Sequence, residues 1–574
     1  MPIVLLAFLT ACGVATTRRP ENDDDTSVNN DDTAPVDSGD TDTSTTTSTA
    51  WSDVQTTYDA DKDTFLTEDN ANTLLAKINS GEVTDVPQNV TDQISAKEFD
   101  QDDKDKISYP GAPEVVDGHD NDGDGYPEVD PTLDATTFTN DVIYAGSPQV
   151  KIADVDGDGF NDLIIGNGHT SINNWGDGSI KIYLGPEPGT EPDVVLHGDG
   201  YGSGLGNVLA VADFDQDGMA DILSVSNGWL GAGIYYGRSA AEWATTTSAD
   251  AIFTDNNVDI LGGEVLASNG ELFMETGNAP IIYHIPQLAD SSDGRYSGTQ
   301  PLAGVSGWKE VFDTSPIVGE LIMASGDFDG DSINDVAIGN PMGPGVDGNG
   351  LVNVYYGPLP TYLDNNPDGT YSATTQGVSY KGFAGENIGD QAGTVMTTGN
   401  FNSGGDDLVI GAPTQGGYGR AYVVTDDILD SLPDGSVSTT TLDGPATAAG
   451  ATALVATSGD ESFPNAAVSG DMDGDGLDDL ILASNLYDGE AGGLMLFSGA
   501  YLSTLGGQEI DIDEETQVSQ TQSTPSKSGF ELGILGSPAT YLATGDVDKD
   551  GAADLLAGVY TGNAYLFHGG YHGN

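Results

Sequence analysis

The chain has 574 residues, of which 92 are Asp or Glu and only 16 are Lys or Arg, so its formal net charge at pH 7 is −76. Such acidity repels phosphate groups and excludes nucleic acid as a partner. The single cysteine excludes an internal disulfide framework. The 79 glycines and an aromatic content of 8% fit a turn-rich β protein.

The N-terminus carries an apolar run that is too short to span a bilayer. The run ends in Leu9-Thr-Ala-Cys12, which resembles a bacterial lipobox. The resemblance implies that residues 1–11 are a lipoprotein signal peptide and that Cys12 is lipidated, with a simple secretory signal as the alternative. It further implies a protein of the bacterial cell envelope, anchored by lipid in the outer membrane and facing the cell surface or the periplasm.

Residues 12–50 are rich in Asp, Thr and Ser and show no apolar periodicity. A segment of this composition buries too little apolar surface to offset the entropy of folding. We therefore expect a disordered linker that holds the folded part away from the membrane.

Residues 51–130 form a smaller acidic region. The segment that begins at Asp59 approximates an EF-hand loop, with Asp59, Asp61 and Asp63 at alternate positions, and a helix is predicted over Asp69–Ile78. A partner loop is expected at Asp100–Ile107. The spacing suggests a paired EF-hand or dockerin-like calcium module, and an acidic helical hairpin without metal is the alternative.

A second acidic motif follows at the end of this region. Residues 109–126 resemble the short MopE-type metal-binding repeat of bacterial secreted proteins, although Val116 and Gly123 stand where that repeat has cysteines. Loss of both sulfurs argues against a soft metal such as copper. The carboxylates of Asp120, Asp122 and Asp124 are expected to bind calcium instead.

Five nine-residue acidic segments recur in the rest of the chain, each with Asp at positions 1, 3, 5 and 9 and an apolar strand directly after it. Calcium takes six to eight oxygen ligands, and alternate residues of a tight loop can turn their carboxylates toward one point. Gly at position 6, as in Gly159, permits the sharp turn. An Asp/Gly-rich turn without metal is the alternative. The predicted ligands are Asp154, Asp156, Asp158, Asp162, Asp213, Asp215, Asp217, Asp221, Asp327, Asp329, Asp331, Asp335, Asp471, Asp473, Asp475, Asp479, Asp546, Asp548, Asp550 and Asp554.

The spacing of these segments predicts seven repeats. Between the second and third segments, residues 265–283 keep a strand-turn-strand pattern without the Asp ladder, and between the third and fourth, residues 399–413 carry Asn400 and Asn402 in place of Asp. A period of about 56 to 75 residues with three or four short strands is typical of radial β-repeats, because one small sheet cannot bury both faces alone.

The segments around the acidic loops resemble a known family. Val336-Ala-Ile-Gly-Asn-Pro341, Ile410-Gly-Ala-Pro413 and Phe383-Ala-Gly385 resemble FG-GAP repeats, the blades of the integrin α-subunit β-propeller. The resemblance covers residues 137–574. It implies an all-β, seven-bladed propeller with calcium in hairpin loops on one face and a ligand surface on the other.

The last repeat stops after its third strand, at Asn563–His568, and therefore lacks a fourth. Asp141–Tyr144, before the first acidic loop, matches the fourth strand of the first repeat at Asp193–Leu196. We expect Asp141–Tyr144 to pair with the last blade, because an open edge would invite aggregation.

The function predicted from these features is that of a monomeric, calcium-binding surface lipoprotein whose propeller binds a protein or glycan. The six histidines are scattered and form no spacing typical of a zinc site or a nucleophile's base, so we expect no enzyme activity. The alternative is a hydrolase or lyase that acts on extracellular polysaccharide at the propeller centre, with two of the many carboxylates as its acid and base.

Overall fold

The structure is a computed structural model of the whole chain. It describes residues 49–50, 68–80, 82–84, 86–87, 90–91, 136–139, 148–169, 176–186, 188–198, 203–225, 231–254, 265–268, 271–276, 281–285, 294–302, 308–311, 321–342, 348–358, 380–432, 440–442, 451–456, 463–487, 490–512, 530–534 and 539–569. Several predictions lie outside these residues: those for Cys12, Asp59, Asp61, Asp63, Asp120, Asp122, Asp124, the partner loop at 100–107 and residues 141–144.

A small N-terminal element precedes the β-sheets. Helix α1 (Glu68–Ser80) confirms the predicted helix and extends it by one residue at its start and two at its end. Strand β1 (Thr49–Ala50) pairs in parallel with β2 (Val83–Thr84), so a strand occupies the last two residues of the predicted linker. Ala71, Leu74, Val83 and Val90 are buried together and give this element a core of its own.

Seven sheets of four or five strands make up most of the described chain. Sheet 1 contains β4 (Gln149–Ala153), β5 (Asp162–Asn167), β6 (Ser179–Tyr183) and β7 (Val194–His197). Sheet 2 contains β8 (Val208–Ala212), β9 (Asp221–Val225), β10 (Ala232–Tyr235), β11 (Ala251–Thr254) and β15 (Gly298–Pro301). Sheet 3 contains β12 (Val265–Ser268), β13 (Glu271–Thr276), β14 (Ile281–Ile285) and β16 (Trp308–Val311).

The other four sheets follow the same order of strands. Sheet 4 contains β17 (Ile322–Gly326), β18 (Asp335–Asn340), β19 (Leu351–Tyr355), β20 (Tyr380–Gly385) and β24 (Thr440–Leu442). Sheet 5 contains β21 (Val395–Gly399), β22 (Asp407–Ala412), β23 (Arg420–Val424), β25 (Thr452–Val455) and β29 (Glu509–Asp511). Sheet 6 contains β26 (Ala466–Gly470), β27 (Asp479–Tyr487), β28 (Glu490–Phe497) and β30 (Phe530–Ile534). Sheet 7 contains β31 (Ala539–Gly545), β32 (Asp554–Val559), β33 (Asn563–Phe567) and β3 (Thr136–Thr139).

Short helices lie between some of these strands: α2 (Ala240–Trp243), α3 (Asp426–Ser431), α4 (Gly499–Leu502) and a 3₁₀ turn at Gln415–Gly417. Within the described residues, no helix is both long enough and apolar enough to cross a membrane.

The first strands of the sheets form a closed ring. Strand β4 packs beside β8, and the contacts continue through β12, β17, β21, β26 and β31 back to β4. The chain is therefore a mainly-β propeller, as predicted. The ring places the hairpins between the first and second strands of all sheets at one end, because the first four strands of every sheet have the same antiparallel order.

The ring closes with a strand from the start of the propeller, but not with the predicted one. Strand β3 pairs antiparallel with β33, with Thr136 opposite Leu566 and Thr139 opposite Asn563. The prediction that a segment before the first acidic loop completes the last sheet is confirmed, whereas its assignment to Asp141–Tyr144 is wrong. The β-branched and aromatic run Thr136-Thr-Phe-Thr139 favours a strand on its own composition. The prediction chose Asp141–Tyr144 instead because that segment matches Asp193–Leu196 in sequence.

The second strand of most sheets forms the core. All residues of β5, β18, β22 and β32 are buried. A strand covered on both faces needs apolar side chains on both, so its sequence is continuously apolar rather than alternating. This explains the runs Leu-Ile-Ile-Gly and Val-Ala-Ile-Gly that follow the acidic loops.

Glycines join neighbouring sheets at the end of the propeller opposite the acidic loops. Gly178, Gly350 and Gly419, each directly before a third strand, form isolated bridges with Leu205, Ala392 and Phe463 of the next sheet. At Gly350 the backbone has a φ of +83°, and a Cβ would lie 2.2 Å from the backbone N and O of Ala392. Only glycine allows this approach.

We expect Gly350→Ala to lower the stability of the propeller by about 1–3 kcal/mol more than Gly298→Ala. Both glycines have positive φ, which costs an L-residue about 1 kcal/mol, but nothing lies within 4 Å of a Cβ at Gly298. The measurement is the denaturant midpoint of each variant against the parent chain. Equal losses would show that the bridge at Gly350 does not hold the two sheets together.

Candidate metal centre

The five acidic segments occupy the same hairpin in five sheets. We name each by its sheet: loop 1 (154–162), loop 2 (213–221), loop 4 (327–335), loop 6 (471–479) and loop 7 (546–554). The last Asp of each loop is the first residue of the second strand and pairs with the last residue of the first strand, as Asp335 does with Gly326. The weakened copy in sheet 5 is loop 5 (400–407).

In four of the five complete loops the structure brings three of the four predicted carboxylates together. Positions 1, 3 and 9 supply one ligand atom each within 4.8 Å in loops 1, 2, 4 and 6: Asp154, Asp156 and Asp162; Asp213, Asp215 and Asp221; Asp327, Asp329 and Asp335; Asp471, Asp473 and Asp479. In loop 7, ligand atoms of Asp548, Asp554 and His568 lie within the same distance of one another.

The carboxylates at position 5 turn back on the loop itself. In loop 4, Asp331 Oδ1 accepts the N–H of Ile333 at 2.8 Å, and Asp158, Asp217, Asp475 and Asp550 accept the equivalent N–H in the other loops. At position 6 the backbone has positive φ in all five loops, with Ser332 the one residue there that is not glycine. The predicted role of glycine at this turn is confirmed.

The Asp at position 9 has a structural task that sequence reasoning missed. In loop 4, Asp335 Oδ2 accepts the N–H of Phe328 at 2.8 Å, and its Oδ1 accepts the N–H of Gly357, just after the third strand, at 2.7 Å. The same two kinds of hydrogen bond recur at Asp162, Asp221, Asp407, Asp479 and Asp554. This carboxylate therefore holds three consecutive strands together.

Burial of these carboxylates opposes their ionisation. Desolvation raises the pKa of Asp162, Asp221, Asp335 and Asp407 to about 7 and that of Asp479 to about 8, against the backbone hydrogen bonds that lower it. A carboxylate kept ionised in such a place needs a nearby positive charge.

Three loops contain a carboxylate oxygen that is suited to a cation. Oδ1 of Asp327, Asp471 and Asp546, all at position 1, is buried and has no hydrogen-bond partner among the described residues. Leaving a buried acceptor unsatisfied is costly. A hard cation between positions 1, 3 and 9 would satisfy it, and a donor set of carboxylate oxygens suits calcium.

Comparison with known proteins agrees with this geometry. Residues 154–224 match the FG-GAP-like repeat model and residues 322–355 match the FG-GAP repeat model. The propeller therefore contains FG-GAP repeats. The chain is also 30% identical over 178 residues to integrin alpha-V of Gallus gallus, a match that covers 29% of this chain and 16% of that protein.

Beside loop 7 lies a ligand-type side chain, His568, that sequence reasoning set aside. His568 Nδ1 lies 3.1 Å from Asp554 Oδ1 and 3.7 Å from Asp548 Oδ2. The hydrogen bond with Asp554 raises the pKa of His568. The histidine follows β33, next to Gly569, whose N–H also donates to Asp554. Its position after a third strand was the only signal, and spacing among histidines could not reveal it.

Loop 5, the weakened copy, satisfies its polar groups without a metal. Asn402 Nδ2 donates to Asp426 Oδ1 at 2.8 Å, and the N–H of Gly405 donates to Asp426 Oδ2 at 2.7 Å. Asp426 stands just after the third strand and gives its own N–H to Asp407 at 2.8 Å. Amide donors therefore replace the charge of a cation in this loop.

Neighbouring loops are also joined to each other. The residue before the closing Asp donates its N–H to the carbonyl of position 1 in the preceding sheet: Ala220 to Asp154, Asp406 to Asp327, Asp478 to Asn400 and Ala553 to Asp471. Asn161 Nδ2 makes the equivalent bond to Asp546 O at 3.0 Å across the ring closure. These hydrogen bonds therefore couple the conformation of one loop to that of the next.

We expect the metal-free protein to become less stable as the pH rises from about 4 to about 7, because of its buried carboxylates at position 9. In the folded state the pKa of Asp162, Asp221, Asp335 and Asp407 is about 7, above the ordinary aspartate value of 3.8, so in this window the folded state binds more protons than the unfolded state. The measurement is the denaturant midpoint of chelating-resin-treated protein at pH 5 and pH 7.5.

Asp407→Asn provides the control for that experiment, since loop 5 lacks the ladder of carboxylates and its closing residue would no longer titrate. The variant should be less stable but show a smaller fall with pH. A midpoint of the parent chain that is constant or rises over this range would contradict the prediction.

Proposed function

We propose that the chain is a calcium-binding surface lipoprotein, whose seven sheets are the seven blades of a propeller that binds a protein or glycan. The observation that carries the calcium proposal is the buried, partnerless carboxylate oxygen at position 1 of loops 4, 6 and 7. It recurs at one point of a repeated loop. In loops 4 and 6 this Asp is grouped with the carboxylates at positions 3 and 9, and in loop 7 the group is Asp548, Asp554 and His568. Loop 1 has the same cluster of Asp154, Asp156 and Asp162.

Calcium would act on the whole ring. Four Asp side chains within nine residues repel one another when ionised, and each closing carboxylate ties its loop to the third strand. Because the loops are joined to their neighbours by backbone hydrogen bonds, neutralising one loop also steadies the hairpin beside it. Ions that bind only the folded state raise its stability by mass action.

The ligand-binding proposal has a concrete location beside loop 2. An open cleft of about 510 Å³ is lined mainly by polar side chains, among them Arg238, Thr246, Thr247 and Arg295. Its volume is in the range of small-ligand sites. Its two guanidinium groups stand out in a chain with 16 basic residues. Arg238 is paired with Asp250 and Arg295 with Asp215 and Asp217, so the cleft presents paired charges and hydroxyl groups. Such a surface suits a hydroxyl-rich glycan or a polar protein loop.

A lipid anchor at Cys12 would place this surface outside the cytoplasm, at the outer membrane of a bacterial envelope. The resemblance of Leu9–Cys12 to a lipobox supports that location. A binding role is favoured over catalysis because the closing Asp side chains, whose pKa values burial raises, are engaged by backbone N–H groups and hold strands together. The match to integrin alpha-V, which spans a small part of that protein, supports the propeller alone.

We expect Asp327→Asn to bind about one calcium ion fewer than the parent chain and to melt at a lower temperature in calcium. At a calcium concentration about 100 times the dissociation constant, one site contributes about 2.7 kcal/mol, and the variant loses up to that amount. Bound calcium is counted by elemental analysis after equilibrium dialysis.

Asp193→Asn is the matched control, because it makes the same change of charge at an exposed carboxylate outside the loops, where Asp193 Oδ2 accepts the N–H of Leu184. It should bind as much calcium as the parent chain. Equal calcium content in Asp327→Asn and the control would contradict calcium binding by loop 4.

Immobilised polysaccharides and envelope proteins are expected to retain the protein in calcium and release it in chelator, with no new reducing ends formed. Thr247→Trp, which fills the cleft, should reduce retention at least tenfold, whereas Ser503→Trp, at another exposed position, should not. Release of reducing ends from any polysaccharide would favour the hydrolase or lyase alternative.

A further inference from the structure

In loop 2 an arginine from outside the loop pairs with the carboxylates at positions 3 and 5. Arg295 Nε forms an ion pair with Asp215 Oδ2, and its terminal nitrogen lies 2.5 Å from Asp217 Oδ2. The side chain of Asp215 is 0% exposed. The guanidinium thus lies against positions 3 and 5 of a loop predicted to bind calcium through those same carboxylates.

Arg295 is held in this place by its surroundings. Its guanidinium carbon lies 4.9 Å from the centre of the Tyr236 ring, a cation–π geometry. The hydroxyl of Tyr236 accepts the N–H of the next residue, Tyr296, at 2.7 Å. Tyr296 stacks on Phe214, at position 2 of the loop, with ring centres 5.9 Å apart. The side chain of Arg295 therefore loses little conformational entropy when the ion pair forms.

The backbone after Arg295 is anchored as well. Strand β15 begins three residues later, at Gly298, and pairs in parallel with β11 of sheet 2. The segment arrives from beyond the third strand of sheet 3 and returns to sheet 2. The arginine therefore reaches a loop that lies 78 to 80 residues earlier in the chain.

Asp213, at position 1 of loop 2, differs from Asp327, at position 1 of loop 4, in the hydrogen bonding of its carboxylate. Asp213 Oδ1 accepts the N–H of Asp217 at 3.0 Å and its Oδ2 accepts that of Gly218 at 2.9 Å, whereas Asp327 Oδ1 is buried without a partner. Asp154 of loop 1 likewise accepts backbone N–H groups, from Gly157 and Gly159, so the feature that sets loop 2 apart from loop 1 is the ion pair with Arg295.

We propose that the guanidinium of Arg295 takes the place of calcium in loop 2, so that this loop binds no divalent ion while the arginine is present. The proposal rests on the proposed calcium binding of the other loops. A tethered cation beside two carboxylates must be displaced before calcium can enter, because Asp215 and Asp217 cannot face both. Sheet 2 thereby keeps an ordered hairpin when calcium is scarce.

The test is the number of calcium ions bound by the full-length chain, measured by elemental analysis after dialysis against excess CaCl₂. Arg295→Met removes the charge and keeps an unbranched side chain against Tyr236. It should bind about one calcium ion more than the parent chain, and adding Asp215→Asn should abolish the gain. Arg295→Lys keeps a positive charge at this position and should show no gain.

Arg420→Met is the matched control, since Arg420 pairs with Glu509 at 2.9 Å, outside the acidic loops, and its calcium content should equal that of the parent. If Arg295→Met fails to fold, Arg295→Gln gives the same comparison. An unchanged calcium content in a folded Arg295 variant, with calcium bound by the parent, overturns this inference alone. A parent chain without bound calcium overturns the proposed function and this inference with it.

Discussion

The buried carboxylate that closes each acidic loop is the interaction on which the propeller depends. In loop 4, Asp335 accepts N–H groups from Phe328 in the loop and from Gly357 beyond the third strand. One side chain thereby fixes the turn, the start of the second strand and the end of the third. The cost is a carboxyl group removed from water, whose pKa burial raises to about 7, so the loop needs a source of positive charge or of additional donors.

The chain meets this need in different ways on one backbone scaffold. Loops 4, 6 and 7 leave a buried oxygen of Asp327, Asp471 and Asp546 open to a cation. Loop 2 has the guanidinium of Arg295, and loop 5 has amide donors directed at Asp426. The hairpin geometry is retained throughout because the closing Asp makes its two backbone hydrogen bonds in each of these loops. Repeats with an identical shape can thus differ in their response to metal.

Links between loops extend these local effects around the ring. Within the described residues, backbone and side-chain bonds join loop 4 to loop 5 and continue through loops 6, 7 and 1 to loop 2. Sheet 3, whose hairpin between β12 and β13 has no acidic ladder, lies between the two ends of this series. Cations at one end of the propeller therefore act on a connected series of hairpins, while the glycine bridges such as Gly350 to Ala392 hold the other end.

The sequence by itself determined the local units: strands such as Gln149–Ala153, the acidic turns with their positive-φ residue, and the buried second strands. Each depends on residues close together in the chain, where the spacing of Asp and apolar residues is visible. Only the tertiary structure decided which chemistry completes each turn. Arg295, His568 and Asp426 reach their loops from 14 to 80 residues away, and Thr136–Thr139 closes a sheet formed by the opposite end of the chain. Such partners are brought together by the circular arrangement of the sheets, which no periodicity within a single repeat encodes.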